Sequence, residues 1–228
     1  MTPFELALYS ELKSLVTEDR LFLLNQKANN RTDKICIVLE DIFQRRNISA
    51  CLRSADCFGI QDVHIIENRN EYADDIEVSV GAEKWLSINR YNSKRNNTDE
   101  VLSLLKRDGY TLLATSPDSS NMSLTDLDVS EGKFALIFGT EKDGLTKTAL
   151  KNSDLIINIP TYGFTESFNV SVAAALCLQH LSYKLRLSRD DCNLNKIKRD
   201  RLLLDWLCKS VKSSEYIINK LEEEFYKK

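Results

Sequence analysis

Three short stretches carry side chains whose types and spacing suit chemistry better than packing. In Asn47-Ile48-Ser49-Ala50-Cys51-Leu52-Arg53-Ser54-Ala55-Asp56-Cys57-Phe58-Gly59, an arginine interrupts a mostly apolar helical pattern six residues after an asparagine. A guanidinium fork matches phosphate and oxyanion geometry. An internal ion pair with Asp56 or a neighbouring carboxylate explains it equally well, because an unpaired buried arginine is costly. In Phe138-Gly139-Thr140-Glu141-Lys142-Asp143-Gly144-Leu145-Thr146, two glycines five apart follow an apolar run. They predict a sharp turn at a strand's carboxyl end, where open α/β sheets bind ligands. The stretch is neither a P-loop nor Gly-x-Gly-x-x-Gly. In Ile159–Ala175, an apolar strand end passes through Pro160 and Gly163 into a small-residue helix, with Glu166, Ser167, Asn169 and Ser171 crowding its entry. A helix N-terminus suits an anionic group. An ordinary junction capped by Ser167 or Asn169 also accounts for it.

The elements that must position these residues read as alternating strands and helices. Residues 3–28 are predicted as helix, 35–39 as a buried strand, and 47–58 as a helix N-capped by Asn47 and closed by Gly59. Strands are predicted at 63–66, 85–91, 110–114, 133–138 and 155–159. Helices are predicted at 99–108, 169–186 and, as one or two pieces, 196–227, with a helix-like piece near 76–80. This alternation implies a mainly parallel sheet covered on both faces. No composition shift marks a second large domain, so we divide the chain into an N-terminal helical extension (1–30), one α/β domain (31–188) and a C-terminal helical extension (189–228).

The totals exclude several classes. At 228 residues with 43% hydrophobic and 29% charged side chains, the chain has the make-up of a soluble domain with a sizeable core. Its N-terminus lacks the basic and apolar regions of a signal peptide, and no apolar run is long enough to span a membrane, so a cytoplasmic location is expected. The six cysteines form no C-x-x-C pair and read as reduced, mostly buried thiols. Neither His64 nor His180 has a ligand-spaced partner, so no metal is expected. A net charge of −3 requires any nucleic-acid contact to be local.

In order and spacing, the three stretches resemble the sequence motifs of the SPOUT class of RNA methyltransferases, specifically the TrmH family of RNA ribose 2′-O-methyltransferases. Asn47-x5-Arg53 with Phe58-Gly59 resembles the first motif, Gly139-x-Glu141-x-x-Gly144 the second, and Ile159-Pro160, Gly163 and Ser167–Ala173 the third. The likeness spans about residues 34–186. Gly81–Trp85, Leu113–Thr115 and the tail containing Asp205-Trp206-Leu207 further resemble the subgroup acting on guanosine-18 of the tRNA D-loop. The chain departs from the family at Arg45, where proline is frequent, at Phe168 in place of leucine, and at Thr161 in place of methionine.

The resemblance implies an α/β fold with a C-terminal trefoil knot, and S-adenosylmethionine as cofactor. It implies a cofactor pocket built from Thr115, Gly139, Thr140, Glu141, Gly144, Ile159, Gly163 and Phe168, with backbone groups of Gly139, Ile159 and Phe168 on the adenine. The catalytic group it implies is Arg53, supported by Asn47, Glu141, Ser167 and Asn169. Because an arginine with pKa above about 12 is a poor base, Arg53 is expected either to act as base or to bind the adjacent phosphate and polarise the hydroxyl. Arg45, Arg46, Lys84, Lys196, Lys198, Arg199 and Arg201 are the expected tRNA contacts. A homodimer through the first- and third-motif helices is also implied. Methylation of another tRNA or rRNA nucleotide, and an inactive RNA-binding role, stay open. A dinucleotide-binding enzyme is disfavoured by the missing Gly-x-Gly-x-x-Gly.

Overall fold

The computed structural model describes residues 1–72, 79–118 and 122–226. The chain divides into two compact units, Thr32–Cys192 and the paired ends Met1–Arg31 with Asn193–Lys228.

In the central unit, the described residues form one parallel sheet of seven strands: β1 (Ile35–Glu40), β2 (Asp62–Ile66), β3 (Ser87–Tyr91), β4 (Tyr110–Thr115), β5 (Met122–Ser123), β6 (Lys133–Phe138) and β7 (Leu155–Asn158). Their order is β3-β2-β1-β6-β4-β7-β5. Every residue of β1 is buried, which requires cover on both sides of the sheet. Alternation along β1 divides the core in two. Ile35, Ile37 and Leu39 join the cluster packed by α3 (Arg45–Cys57) and α6 (Val170–Ser188). Cys36 and Val38 join a second cluster with Val101, Leu102 and Leu105 of α4 (Thr98–Arg107) and Ala149 of α5 (Lys147–Asn152). The expected parallel α/β architecture is therefore the one observed.

The terminal unit holds α1 (Pro3–Ser14), α2 (Glu18–Ala28), α7 (Lys196–Ser210) and α8 (Ser214–Tyr226). Leu8, Leu12 and Leu24 are buried, as are Leu203, Trp206 and Leu207. The Arg31 guanidinium lies 5.1 Å over the Trp206 ring, a cation–π contact. The single helix expected over 3–28 is two, because the Thr17 hydroxyl accepts the Arg20 N–H and starts α2 afresh.

Elsewhere, one strand boundary shifts and two short elements went unread. The strand expected from Trp85 starts at Ser87, after a 3₁₀ turn over Ala82–Trp85. Helix α5 and strand β5 carried too short a pattern to be read. Most of the helix-like piece near 76–80 lies outside the described residues. Among the described residues, no helix is long and apolar enough to cross a membrane.

His64 on β2 gives this sheet a pH dependence. Its Nδ1 shares a 2.9 Å hydrogen bond with the Tyr91 hydroxyl, and burial pushes its pKa down to about 4. The unfolded chain therefore binds the proton first as pH falls. Stability is full above pH 6.5 and is lost toward pH 4, by up to about 3 kcal/mol. Thermal unfolding of His64→Phe is expected to show a flatter slope across that window. A slope equal to wild type counts against the assignment.

Candidate active site

The three chemical stretches meet at the carboxyl ends of β1, β4, β6 and β7. Asn47 is not the helix cap. Helix α3 begins at Arg45 behind Gln44, which makes no side-chain cap bond, and Asn47 lies buried in the first turn. Tertiary contacts take its amide instead. Its Nδ2 donates to Glu141 Oε1 and, at 3.3 Å, to Gln44 Oε1, while its Oδ1 accepts from Asn169 Nδ2 at 3.2 Å. Asn169, rather than Ser167, caps α6, its Oδ1 accepting the Ser171 N–H at 2.9 Å. Glu141, Asn47 and Asn169 thus tie together residues more than 120 positions apart in sequence.

Beside this tie lies a cavity of about 510 Å³. Of the residues expected at a cofactor pocket, Thr115, Gly139, Thr140, Glu141, Gly144, Ile159 and Phe168 line it and Gly163 does not; Ser167, expected in a catalytic role, lines it too. Phe138, Leu145, Ile157, Val170 and Cys177 give it an apolar floor. The Thr115 hydroxyl is committed to Ile137 O at 2.8 Å. Burial raises the Cys177 thiol to about 12 and, with the Glu141 charge, does the same to Cys51, so neither is a nucleophile near neutral pH. Among the described residues, no group of three or more His, Cys, Asp or Glu could hold a metal ion.

The glycine loop has a specific geometry. Thr140 and Gly144 exchange two backbone hydrogen bonds of 3.1 and 3.0 Å. Gly144 sits at φ +67°, a conformation glycine adopts without penalty. A Cβ on Gly139 would lie 2.3 Å from the Gly144 carbonyl.

Two residues at this site were not singled out from sequence. Glu40, 1% exposed, ends β1 and accepts from Thr98 Oγ1 (2.6 Å), Thr146 N (2.9 Å) and Thr146 Oγ1 (2.8 Å). Thr146 also caps α5 through Ala149 N. Glu40 therefore pins the far end of the glycine loop; a carboxylate closing an apolar strand was its signal. Glu40→Gln puts an amide NH₂ or a single remaining oxygen against donors that need acceptors, costing about 1–3 kcal/mol. Thr146→Ala is expected to add little to that loss, since the two side chains share one bond network. Additive changes in unfolding free energy would refute the coupling. The second residue is Asn158. Its Nδ2 donates to Asp118 O at 3.2 Å, but its buried Oδ1 has no partner among the described residues. A polar residue ending the apolar Leu155–Ile157 run marked it.

Arg53 departs from the expectation of a buried arginine. It lies on the exposed face of α3 and makes no ion pair or hydrogen bond among the described residues. Solvation, rather than Asp56, meets its charge. It does not line the cavity. Arg45 and Arg46 are exposed in the first turn of α3, and Lys84 is exposed on the 3₁₀ turn. In the terminal unit, Lys196, Lys198 and Arg201 are exposed, whereas Arg199 is engaged with Asp200 at 2.8 Å and Asn29 at 3.3 Å.

A parallel α/β sheet with a polar tie and a ligand-sized cavity at its strand ends defines a small-molecule-binding α/β protein. Residues 34–179 match the SpoU rRNA Methylase family, and the chain belongs to that family. It is 36% identical over 208 residues to a tRNA (guanosine(18)-2′-O)-methyltransferase of Borreliella burgdorferi, covering 91% of this chain and 93% of the relative. The crystal structure of the A. aeolicus TrmH/SpoU tRNA modifying enzyme aligns with TM-score 0.75 at 23% identity, over 85% of this chain and 98% of that one. The SpoU methyltransferase AviRb from Streptomyces viridochromogenes, solved in complex with the cofactor AdoMet, aligns with TM-score 0.58 at 22% identity, over 72% and 62%. These two likenesses concern the fold.

Proposed function

We propose that the chain transfers a methyl group from S-adenosylmethionine to the 2′-hydroxyl of a ribose in tRNA, with guanosine-18 of the D-loop as target. The observation that carries this is the Glu141–Asn47–Asn169 tie, which joins all three motifs beside one cavity. The name of the Borreliella burgdorferi relative supports the choice of substrate.

The cavity fits the cofactor on its own evidence. Gly139 lets the loop close tightly on Gly144 and so form one wall of the cavity, and the apolar floor suits an adenine face. The orphaned Asn158 Oδ1 is an acceptor for an N–H or O–H donor, which recovers the cost of a buried unpaired group. When bound, S-adenosylmethionine supplies an electrophilic methyl on a sulfonium. Backbone groups of Gly139, Ile159 and Phe168 hold the adenine in this reading. Glu141 and Asn169 fix the Asn47 amide and, through it, the start of α3. Ser167 lines the cavity, makes no hydrogen bond among the described residues and is placed to meet the ribose. Arg53 binds the phosphate next to the target and polarises its 2′-hydroxyl, whose proton passes to that phosphate or to water as the oxygen takes the methyl; proximity and alignment supply much of the rate.

The same reading includes a homodimer and the knot. Val172, Leu176, Tyr183 and Leu187 are exposed at helical spacing along α6, which packs beside α3. A stripe of this kind is ready for a second copy, and that copy brings Arg53 to its partner's cavity. Arg45, Arg46, Lys84, Lys196, Lys198 and Arg201 are the proposed phosphate contacts.

Mass mapping of ribose methylation on bulk tRNA, incubated with the protein and S-adenosylmethionine, tests this function. One new methyl at guanosine-18 is expected. A modified base, or no modification, refutes it.

A further inference from the structure

The segment that rims the cavity is unfinished on its own. Residues 160–168 are exposed throughout, adopt no helix or strand, and receive or donate no hydrogen bond among the described residues. Backbone groups in folded chains are normally paired with each other or with water. The segment also presents two bare aromatic rings on either side of Gly163: Tyr162 is 96% exposed and Phe164 is completely so. Yet Thr161, Glu166, Ser167 and Phe168 of this segment line the cavity. One stretch therefore faces the cofactor pocket with some side chains and the outside with two rings.

We infer that Tyr162 and Phe164 form a stacking platform for unpaired nucleobases of the RNA substrate, beside the ribose that is methylated. This rests on the proposed function and extends it to the state of the substrate. A ribose whose 2′-hydroxyl reaches into this cavity brings its own base and its neighbour's to the rim, of which 160–168 forms part. Aromatic faces hold splayed bases at roughly 1–3 kcal/mol each and accept any base. The backbone N–H and C=O groups of residues 161–167, unpaired among the described residues, are available to base edges. The segment also connects to the basic first turn of α3. Asn169, at the end of the segment, is bonded to Asn47, and the exposed Arg45 lies two residues before Asn47 on α3. The platform requires nucleotides that are out of a helical stack; a continuous duplex presents no base faces to it.

The test uses the full chain with S-adenosylhomocysteine bound and a fluorescein-labelled tRNA transcript. Tyr162→Ala/Phe164→Ala is expected to raise the tRNA Kd at least tenfold, and Phe164→Trp with Tyr162 retained to keep it within about twofold of wild type. Cofactor affinity by calorimetry and mass by sedimentation are expected to stay at wild-type values. Unchanged tRNA binding in the double variant overturns the platform. So does a loss that accompanies dissociation into lighter species, which makes the segment a contact between copies of the chain. So does a loss that accompanies weaker S-adenosylhomocysteine binding, which makes it a cover for the cofactor. If the wild-type chain methylates no RNA, the proposed function fails. If it methylates tRNA and the variants bind tRNA normally, only the platform fails.

Discussion

Arg53→Ala lowers kcat for ribose methylation by about 10²–10³-fold, the scale of losing one positioned charge at a reacting oxygen. S-adenosylmethionine affinity stays within about twofold, because Arg53 does not line the cavity of its own chain. The structure also separates this role from a structural one. An arginine serving an internal ion pair would cost several kcal/mol when truncated. Arg53 is exposed and makes no such pair among the described residues, so its removal should move the unfolding free energy by no more than about 0.5 kcal/mol. Arg53→Lys recovers little activity, since an ammonium cannot reproduce the planar fork. Steady-state kinetics beside thermal unfolding check both arms. Retained activity in the alanine variant removes Arg53 from the mechanism.

Gly139→Ala has the second large effect. Its new Cβ lands 2.3 Å from the Gly144 carbonyl carbon and oxygen and 2.4 Å from Leu145 N. These are backbone atoms, so no side chain can rotate away. The loop must open and lose the paired bonds between Thr140 and Gly144, while the Glu40 anchor holds Thr146 in place. Cofactor affinity should fall at least 100-fold, with overpacking costing about 1–3 kcal/mol of stability. Gly144→Ala is the control. It meets open space and carries only the left-handed backbone penalty of its φ of +67°, about 1–2 kcal/mol. Calorimetric titration of both variants decides; Gly144→Ala weaker than Gly139→Ala would mean the close approach is not what shapes the pocket.

The sheet and the convergence of the motifs were legible because they rest on local signals. The apolar run Ile35–Leu39 and its counterparts mark buried parallel strands, and Gly139, Gly144 and Gly59 mark turns at their ends. What escaped depends on contacts between distant residues. Asn47 has the chemistry of an N-cap, but Glu141 and Asn169 claim its amide, and the cap position falls to Gln44, whose side chain makes no cap bond. Arg53 falls within an apolar pattern, yet the outward face of α3 is set by which side meets α6, and spacing alone did not reveal that. Glu40 looked like the end of a strand because its three donors come from Thr98 and Thr146, 58 and 106 residues away.

The terminal unit draws its helices from both ends of the chain. Leu8, Leu12 and Leu24 are synthesised first, while Leu203, Trp206 and Leu207, buried in the same unit, come last. At typical translation rates the leading helices wait on the order of ten to thirty seconds for their partners. Throughout that interval α1 and α2, at 12 and 11 residues each too short to persist alone in water, lack the partners that bury their leucines in the folded unit. The growing chain therefore exposes those leucines until α7 and α8 are made, and completing them is what withdraws that apolar surface from chaperones and from neighbouring nascent chains.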